Sequence, residues 1–477
     1  MSIKEKKYSL FTFFLALMIL IPLIMSRSDF QDDMYRTTSG YTDFWFENAR
    51  PISVWIFRII NQGYVTPDIS PLTYILSFMI LFLSGRFLAT KITKNNDNFL
   101  KNIITIIFLS SPFLTAILSY KYDCLPVSVA ISIAVMVTFL KLKSSILKII
   151  IQSLSLFIIF SIYQPVLAIF IGILGLKLLN TDSLTEVKEE LIQTSYSLIS
   201  IILSFFIYKK IIADNYLNDF YKSRGSIVHI TKNGFEILIK NIEGYSKKIF
   251  LFIDYPSIYI PILLLSLLTI YTILRKKKYL EILKVTLALP FILTAGLSCN
   301  IVLEHAAFQF REMLGVFFIF LSLIIISRKA NFHNSYTLII ILTSGLYLTN
   351  LMISYSLLNY KDQMAELDNR YIQQIDQIIV KYSPENIKSI TIIPSARILT
   401  KKMQATENAY PILRDFIFEN NFSNIWYAKA LINEENNIGY PIKDYDGDHV
   451  ELLKTSCNFS SQLVNSVLYL KIQDNCS

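Results

Sequence analysis

Residues 101–179 read KNIITIIFLSSPFLTAILSYKYDCLPVSVAISIAVMVTFLKLKSSILKIIIQSLSLFIIFSIYQPVLAIFIGILGLKLL. Apolar runs follow one another here, parted by SYKYD (Ser119 to Asp123), KLK (Lys141 to Lys143) and SIYQP (Ser161 to Pro165). Each run approaches the ~20 apolar residues with which a helix crosses a ~30 Å hydrocarbon layer. Working outward, such runs recur near 8–26, 71–90, 101–119, 124–140, 146–162, 165–179, 191–212, 255–274, 281–300, 313–327 and 336–358, about eleven spans. Composition agrees: 53% of the 477 residues are hydrophobic and 17% charged, against ~25% charged in soluble proteins. Mean hydropathy is +0.46. The fold class is an all-α polytopic membrane protein. Lys4, Lys6 and Lys7 before the first run suggest a secretory signal. The run is too long for one, and no small-x-small cleavage site follows.

The formal charge of +9 is placed by topology. Lys91, Lys94 and Lys101, then Lys141, Lys143 and Lys148, then Arg275 to Lys278, then Arg328 and Lys329 fall on one side of the spans. By the positive-inside rule that side, and the N-terminus with it, is cytoplasmic. The opposite turns around Asp32, Asp123 and Glu304 are mixed or acidic; the basic loop at 213–250 is long enough to escape the rule. A nucleic-acid partner is not needed to explain the charge. An odd number of spans places the C-terminal region outside.

The domains are read as 1–358, the membrane part with outer loops at 27–70 and 213–250, and 359–477, a small periplasmic α/β domain. Ile372, Ile375, Ile378 and Ile379 follow helical spacing, while KSITIIP from Lys388 and SVLYLKIQ from Ser466 read as strands. Cys457 and Cys476 are expected to pair as a disulfide in an oxidising space. Cys124 and Cys299, in or beside spans, read as packing residues. His229, His305, His333 and His449 are too scattered for a metal site.

Several polar clusters exceed what crossing a membrane requires. SRSDFQDDMYR (Ser26 to Arg36) holds Asp29, Asp32 and Asp33 at the outer end of the first span. Adjacent Asp32 and Asp33 repel one another, which raises one pKa and suits that carboxylate to take a proton from a sugar hydroxyl. A solvated acidic loop explains the same residues, and both readings stay open here. In YTDFWFENARPISVWIFRIINQG (Tyr41 to Gly63), Pro51 starts a helix with an apolar stripe at Ile52, Trp55, Ile56, Ile59 and Ile60. It reads as an interfacial helix. Arg50 before it meets a lipid phosphate or snorkels to the headgroups.

SYKYD, SIYQP and EHAAFQFRE (Glu304 to Glu312) add further polar turns on the outer side, whereas the inner turns hold Lys and little else. One outer site lined by Asp32, Asp33, Lys121, Asp123, Gln164, Glu304, Gln309 and Arg311 accounts for them together. The spans are nearly free of ionisable residues, and Arg86 and Lys177 stand near inner ends where long side chains snorkel. Proton-coupled transport would want Asp, Glu or His at mid-depth, and paired broken spans, neither of which is found.

FQDD followed by GY…FWFENARPIS resembles the serotype-converting O-antigen glucosyltransferases of enteric bacteria and their temperate phages. SYKYD, YQP and QFREMLG match that family in kind and order, and the resemblance covers roughly residues 20–330. It implies a GT-C-like fold in the bacterial inner membrane, a site at the periplasmic face, undecaprenyl phosphate–glucose as donor and a lipid-linked O-antigen sugar as acceptor. On that reading Asp32 or Asp33 is the base, and Arg311, Lys121 and Arg50 stabilise the leaving phosphate. No cofactor is expected: some GT-C enzymes use a divalent ion, but Asp32 and Asp33 lack further carboxylates nearby unless Asp29 or Asp123 joins them. The alternatives are another lipid-phosphosugar transferase, acting on lipid A or protein, and a lipid-linked sugar flippase.

Overall fold

The computed structural model describes residues 3–26, 29, 31–40, 44–93, 97–229, 231–275, 278–330, 334–393, 399–416, 428, 432, 440–443, 445, 452–456 and 458–472. Lys94, Lys276, Lys277, His333, His449 and both cysteines of the expected disulfide, Cys457 and Cys476, lie outside them. The chain forms two compact units. The first comprises Met1–Ile24, Thr42–Tyr64 and Ile69–Ser354; the second comprises Met25–Tyr41, Val65–Asp68 and Tyr355–Ser477.

The first unit is helical throughout. Its helices begin where short polar side chains satisfy the first free N–H groups: Asp97 accepts from Leu100 N at 3.1 Å and Ser183 from Glu186 N at 3.2 Å. Pro51 and Pro112 occupy first helical positions, where no donor is lost. Apolar helices fall on the stretches read as spans, but their lengths differ. Among the described residues five are long and apolar enough to cross a membrane: Leu72–Ile92, Leu184–Tyr216, Pro256–Arg275, Tyr279–Leu297 and Ser335–Lys381. Asn98–Leu109 and Pro112–Leu118, bent by 53°, make a sixth if counted as one span.

Others are shorter. Cys124–Thr138 has 15 residues and Ser145–Phe160 has 16. At ~1.5 Å per residue they reach about 22–24 Å, short of a ~30 Å layer. The count of eleven spans therefore rests on runs that include turn residues. Those turns are buried: Tyr122 is 1%, Asp123 4%, Ser161 0% and Tyr163 3% exposed. Irregular backbone shut off from water is stable only when its polar groups find partners within the protein.

Close packing comes from small residues. Gly172 lies against Phe318, and a Cβ on Gly175 would sit 2.8 Å from Ile292 Cδ1. At the end of the bundle holding Lys141 and Lys177, charges are paired. Arg86 Nη1 donates to Asn102 Oδ1 at 2.7 Å, Lys177 Nζ meets Glu190 Oε1 at 2.6 Å, and Arg328 Nη2 meets Asp97 Oδ2 at 2.6 Å. Arg86 and Lys177 thus have protein partners, and this end carries Glu and Asp beside its lysines.

In the second unit Ile372, Ile375, Ile378 and Ile379 are all buried on the helix that ends at Lys381. Strands β1 (Ser389–Ile393), β2 (Ile442–Lys443), β3 (Leu453–Lys454), β4 (Phe459–Val464) and β5 (Val467–Ile472) form one sheet in the order β2-β1-β5-β4-β3. β1 is parallel to β2 and β5, and β5 is antiparallel to β4. Asn465 and Ser466 turn that hairpin with φ of 50° and 64°, the doubly left-handed turn matching strand twist. The two stretches read as strands are β1 and β5. Gly40, with φ 62°, accepts from Thr66 N at 3.0 Å, which ties the Met25–Tyr41 and Val65–Asp68 segments together.

Candidate functional site

Three buried turns of the first unit and the start of the Pro51–Ile60 helix build one polar cluster. Ile52 N donates to Ser161 O at 3.2 Å and Ser53 Oγ to Ile162 O at 3.4 Å, so the helix start is docked on the Ser161–Tyr163 turn. Its buried face is Pro51, Ser53, Val54 and Phe57. Trp55 and Ile59, from the stripe read in the sequence, are 55% and 74% exposed, the side an interfacial helix would offer to lipid.

Arg50 is held at this junction with its guanidinium 4.8 Å from the centre of the Tyr163 ring. Its Nε is buried and has no hydrogen-bond partner among the described residues. The Tyr163 hydroxyl donates to Arg311 O at 3.0 Å. Arg311 in turn lies 4.8 Å over the Tyr120 ring and donates from Nε to Gln309 Oε1 at 2.8 Å. Beside it, Glu312 Oε2 accepts from the Tyr245 hydroxyl at 2.9 Å. Burial pushes the Glu312 carboxyl up, against the lowering pull of Tyr245, Asn300, Arg311 and Arg50. Burial likewise raises the Tyr163 phenol, with Arg311 and Arg50 opposing. Two half-buried guanidinium groups therefore lie near half-buried Glu312 and the buried rings of Tyr163 and Tyr245.

The expected residues sort into distinct roles. Asp123 Oδ1 accepts from Trp45 Nε1 at 2.9 Å. Trp45 stacks on Phe57 with centroids 5.2 Å apart, and Phe57 meets Tyr122 at 5.8 Å. Asp123 thus satisfies an indole that is fully buried and needs an acceptor. Gln164 Nε2 donates to the Tyr208 hydroxyl at 2.6 Å, which donates to Ala49 O at 3.1 Å. This chain fixes the backbone next to Arg50. Lys121 is buried in the Ser119–Asp123 turn. Glu304 sits beside the Ile227–Leu303 bridge, its N–H donating to Ser226 O at 2.9 Å.

Asp32 and Asp33 belong to the second unit and open the helix Gln31–Ser39. Asp33 is fully buried, with Arg36 Nη1 4.0 Å from its Oδ1, while Asp32 is half-buried. The helix N-terminus favours carboxylates in its first turn, and Arg36 adds a positive charge, so neighbouring Asp32 and Asp33 are compensated. Asp29 Oδ2 accepts from Thr37 Oγ1 at 3.2 Å. Among the described residues no three His, Cys, Asp or Glu side chains gather as metal ligands would.

Sequence reasoning passed over Glu312, Tyr163, Tyr208, Tyr245 and Trp45. Glu312 had a signal, a carboxylate one residue from Arg311 in a turn already singled out. The 28 tyrosines gave none, because Tyr245 meets Glu312 across 67 residues and Tyr208 meets Gln164 across 44.

Fold and site together define a membrane protein of several apolar helices with a half-buried arginine–tyrosine–carboxylate cluster at one end of its bundle. The chain belongs to the glucosyl transferase GtrII family, whose model matches residues 23–322. It is also 29% identical over 236 residues to a protein of Salmonella phage P22, described as an uncharacterized 55.3 kDa protein in the gtrB 5′ region. That match covers 48% of this chain and 48% of the phage protein, so the chain spans about half the length of the curated relative it matches. No solved structure matches the chain.

Proposed function

We propose that the chain moves a glucosyl group from undecaprenyl phosphate–glucose to a sugar of lipid-linked O-antigen at the periplasmic face of the bacterial inner membrane. The observation that carries this reading is the buried Nε of Arg50, without a hydrogen-bond partner among the described residues, beside Tyr163, on which Arg311 also acts. A buried donor without an acceptor is costly, and a phosphate oxygen would satisfy it. As the glycosidic bond breaks, negative charge collects on the phosphate oxygen, and two preorganised guanidiniums stabilise it without reorganising. Lys121 adds positive charge to the same turn system, and Gln309 fixes the Arg311 side chain.

The reaction is a single displacement with inversion. The acceptor hydroxyl oxygen bonds to the sugar C1, the C1–O bond to phosphate breaks, and polyprenyl phosphate leaves with the bonding pair. The base taking the hydroxyl proton is Asp32, with the adjacent Asp33 held by Arg36 as its positioning neighbour. No step calls for a cofactor. The N-terminus is cytoplasmic, and the 359–477 domain is periplasmic, where it serves acceptor binding.

The test is linkage analysis and mass spectrometry of O-antigen from a host expressing the chain, alongside Asp32→Asn, Asp33→Asn and Arg50→Ala. Glucosylated O-antigen with the wild type and loss with Asp32→Asn and Arg50→Ala supports the reading. Modified lipid A or protein with unmodified O-antigen, or full activity of both Asp variants, contradicts it.

A further inference from the structure

A second polar site lies at the opposite end of the same helices. A cleft of about 660 Å³ is lined by Lys91, Lys141, Lys148 and Lys177 together with Glu186, Glu189 and Glu190. Lys148 is the unusual member. It is 3% exposed, and its Nζ donates to Gln193 Oε1 at 2.7 Å and to Gln193 O at 3.3 Å. An ammonium group carries three donors, so one proton of Lys148 is left over. Among the described residues no carboxylate lies within 4 Å of it. The nearby Glu190 is engaged by Lys177 at 2.6 Å, and Lys177 is close enough to repel Lys148. Glu190 attracts Lys148 only from beyond pairing distance, and a buried charge without a directly paired counter-charge is unfavourable.

The walls say what kind of anion fits. Ile92, Phe139, Leu140 and Leu142 line the cleft with Ile192, which is 44% exposed. On the Lys148 helix, Ile146, Leu147 and Ile150 are 72%, 46% and 47% exposed, an apolar surface adjoining the cleft. The volume suits a whole headgroup better than a bare ion. The geometry points to a binding site for the phosphate headgroup of an anionic lipid, whose phosphate meets Lys148 and whose chain follows the exposed apolar face of the Ser145–Phe160 helix. On the positive-inside orientation this lipid is drawn from the cytoplasmic leaflet. The inference stands independently of the glucosyl-transfer reading.

The test is native mass spectrometry of the detergent-purified full chain, titrated with phosphatidylglycerol, phosphatidic acid, phosphatidylcholine and inorganic phosphate. The expected result is retention of one anionic lipid, bound at least tenfold tighter than phosphatidylcholine, in the wild type, in Lys148→Arg and in Arg50→Gln. Lys148→Gln is expected to lose that preference. Should Lys148→Gln not fold, Lys141→Gln at the cleft mouth carries the test, with a severalfold loss expected. Equal retention by the wild type and the glutamine variant overturns the site. Binding of inorganic phosphate as tightly as lipid overturns the lipid assignment.

Discussion

The two ends of the helical bundle in the first unit are both polar, yet they handle charge differently. At the end with Lys141 and Lys177, most cations meet carboxylates or carbonyls directly: Lys284 Nζ reaches Glu281 Oε1 at 2.6 Å and Thr181 O at 2.9 Å, and Lys329 Nζ reaches Asp182 Oδ1 at 3.1 Å. At the other end Arg50 and Arg311 lie over tyrosine rings, and Glu312 bonds to Tyr245. Direct pairing neutralises charge and fixes helix ends. Stacking on a ring holds a guanidinium in place without neutralising its charge. The contrast is between charge paired across helices and charge set against aromatic rings, which the proposed function assigns to a ligand.

The comparison breaks most visibly if the ring-stacked arginines are dispensable. Arg311→Ala is expected to lower glucosyl transfer by about 10²–10³, the scale of losing one preorganised donor to a developing anion. Folding and membrane insertion, followed by thermal denaturation, should change little by comparison. Trp45→Phe tests the support beneath the site. It leaves Asp123 Oδ1 without the indole donor, and calorimetry or a thermal melt should show about 1–3 kcal/mol of destabilisation.

Glu312 gives a pH-dependent prediction. Its folded carboxyl is raised, so the folded state holds the proton more tightly than the unfolded chain. Stability is then fullest below the ordinary carboxylate range and falls as pH rises from that range through the raised value. Melts across this window should show the decline in the wild type and a flatter profile in Glu312→Gln. The smallest effect belongs to the other end. Asp182→Asn removes an exposed pair with Lys329 and should cost under ~1 kcal/mol, diminishing with salt.

Much of this was legible from residues alone. Apolar runs located the helices, and Ile390 and Leu468, in the stretches read as strands, face one another in register. The turns holding Lys121, Asp123, Gln164 and Arg311 were found because polar residues stood out between apolar runs. Their burial was not legible: a polar turn between spans reads as solvated until packing shows otherwise. Asp123 was legible as a polar turn residue, but its bond from the buried indole of Trp45 was not, since that partner lies 78 residues away. Arg50 read equally as a phosphate contact or a snorkelling cation, and neither its contact with the Tyr163 ring nor its buried Nε was legible, because Tyr163 lies in a separate turn. Pairs such as Lys177 with Glu190 depend on helix register, which periodicity does not supply across separate helices.

The most direct measurement of the central claim is binding of undecaprenyl phosphate–glucose to the purified chain without acceptor, comparing the wild type with Arg50→Gln and Arg311→Gln. The account predicts saturable binding that each substitution weakens at least tenfold, with unchanged melting behaviour. Equal donor affinity in all three proteins would contradict it.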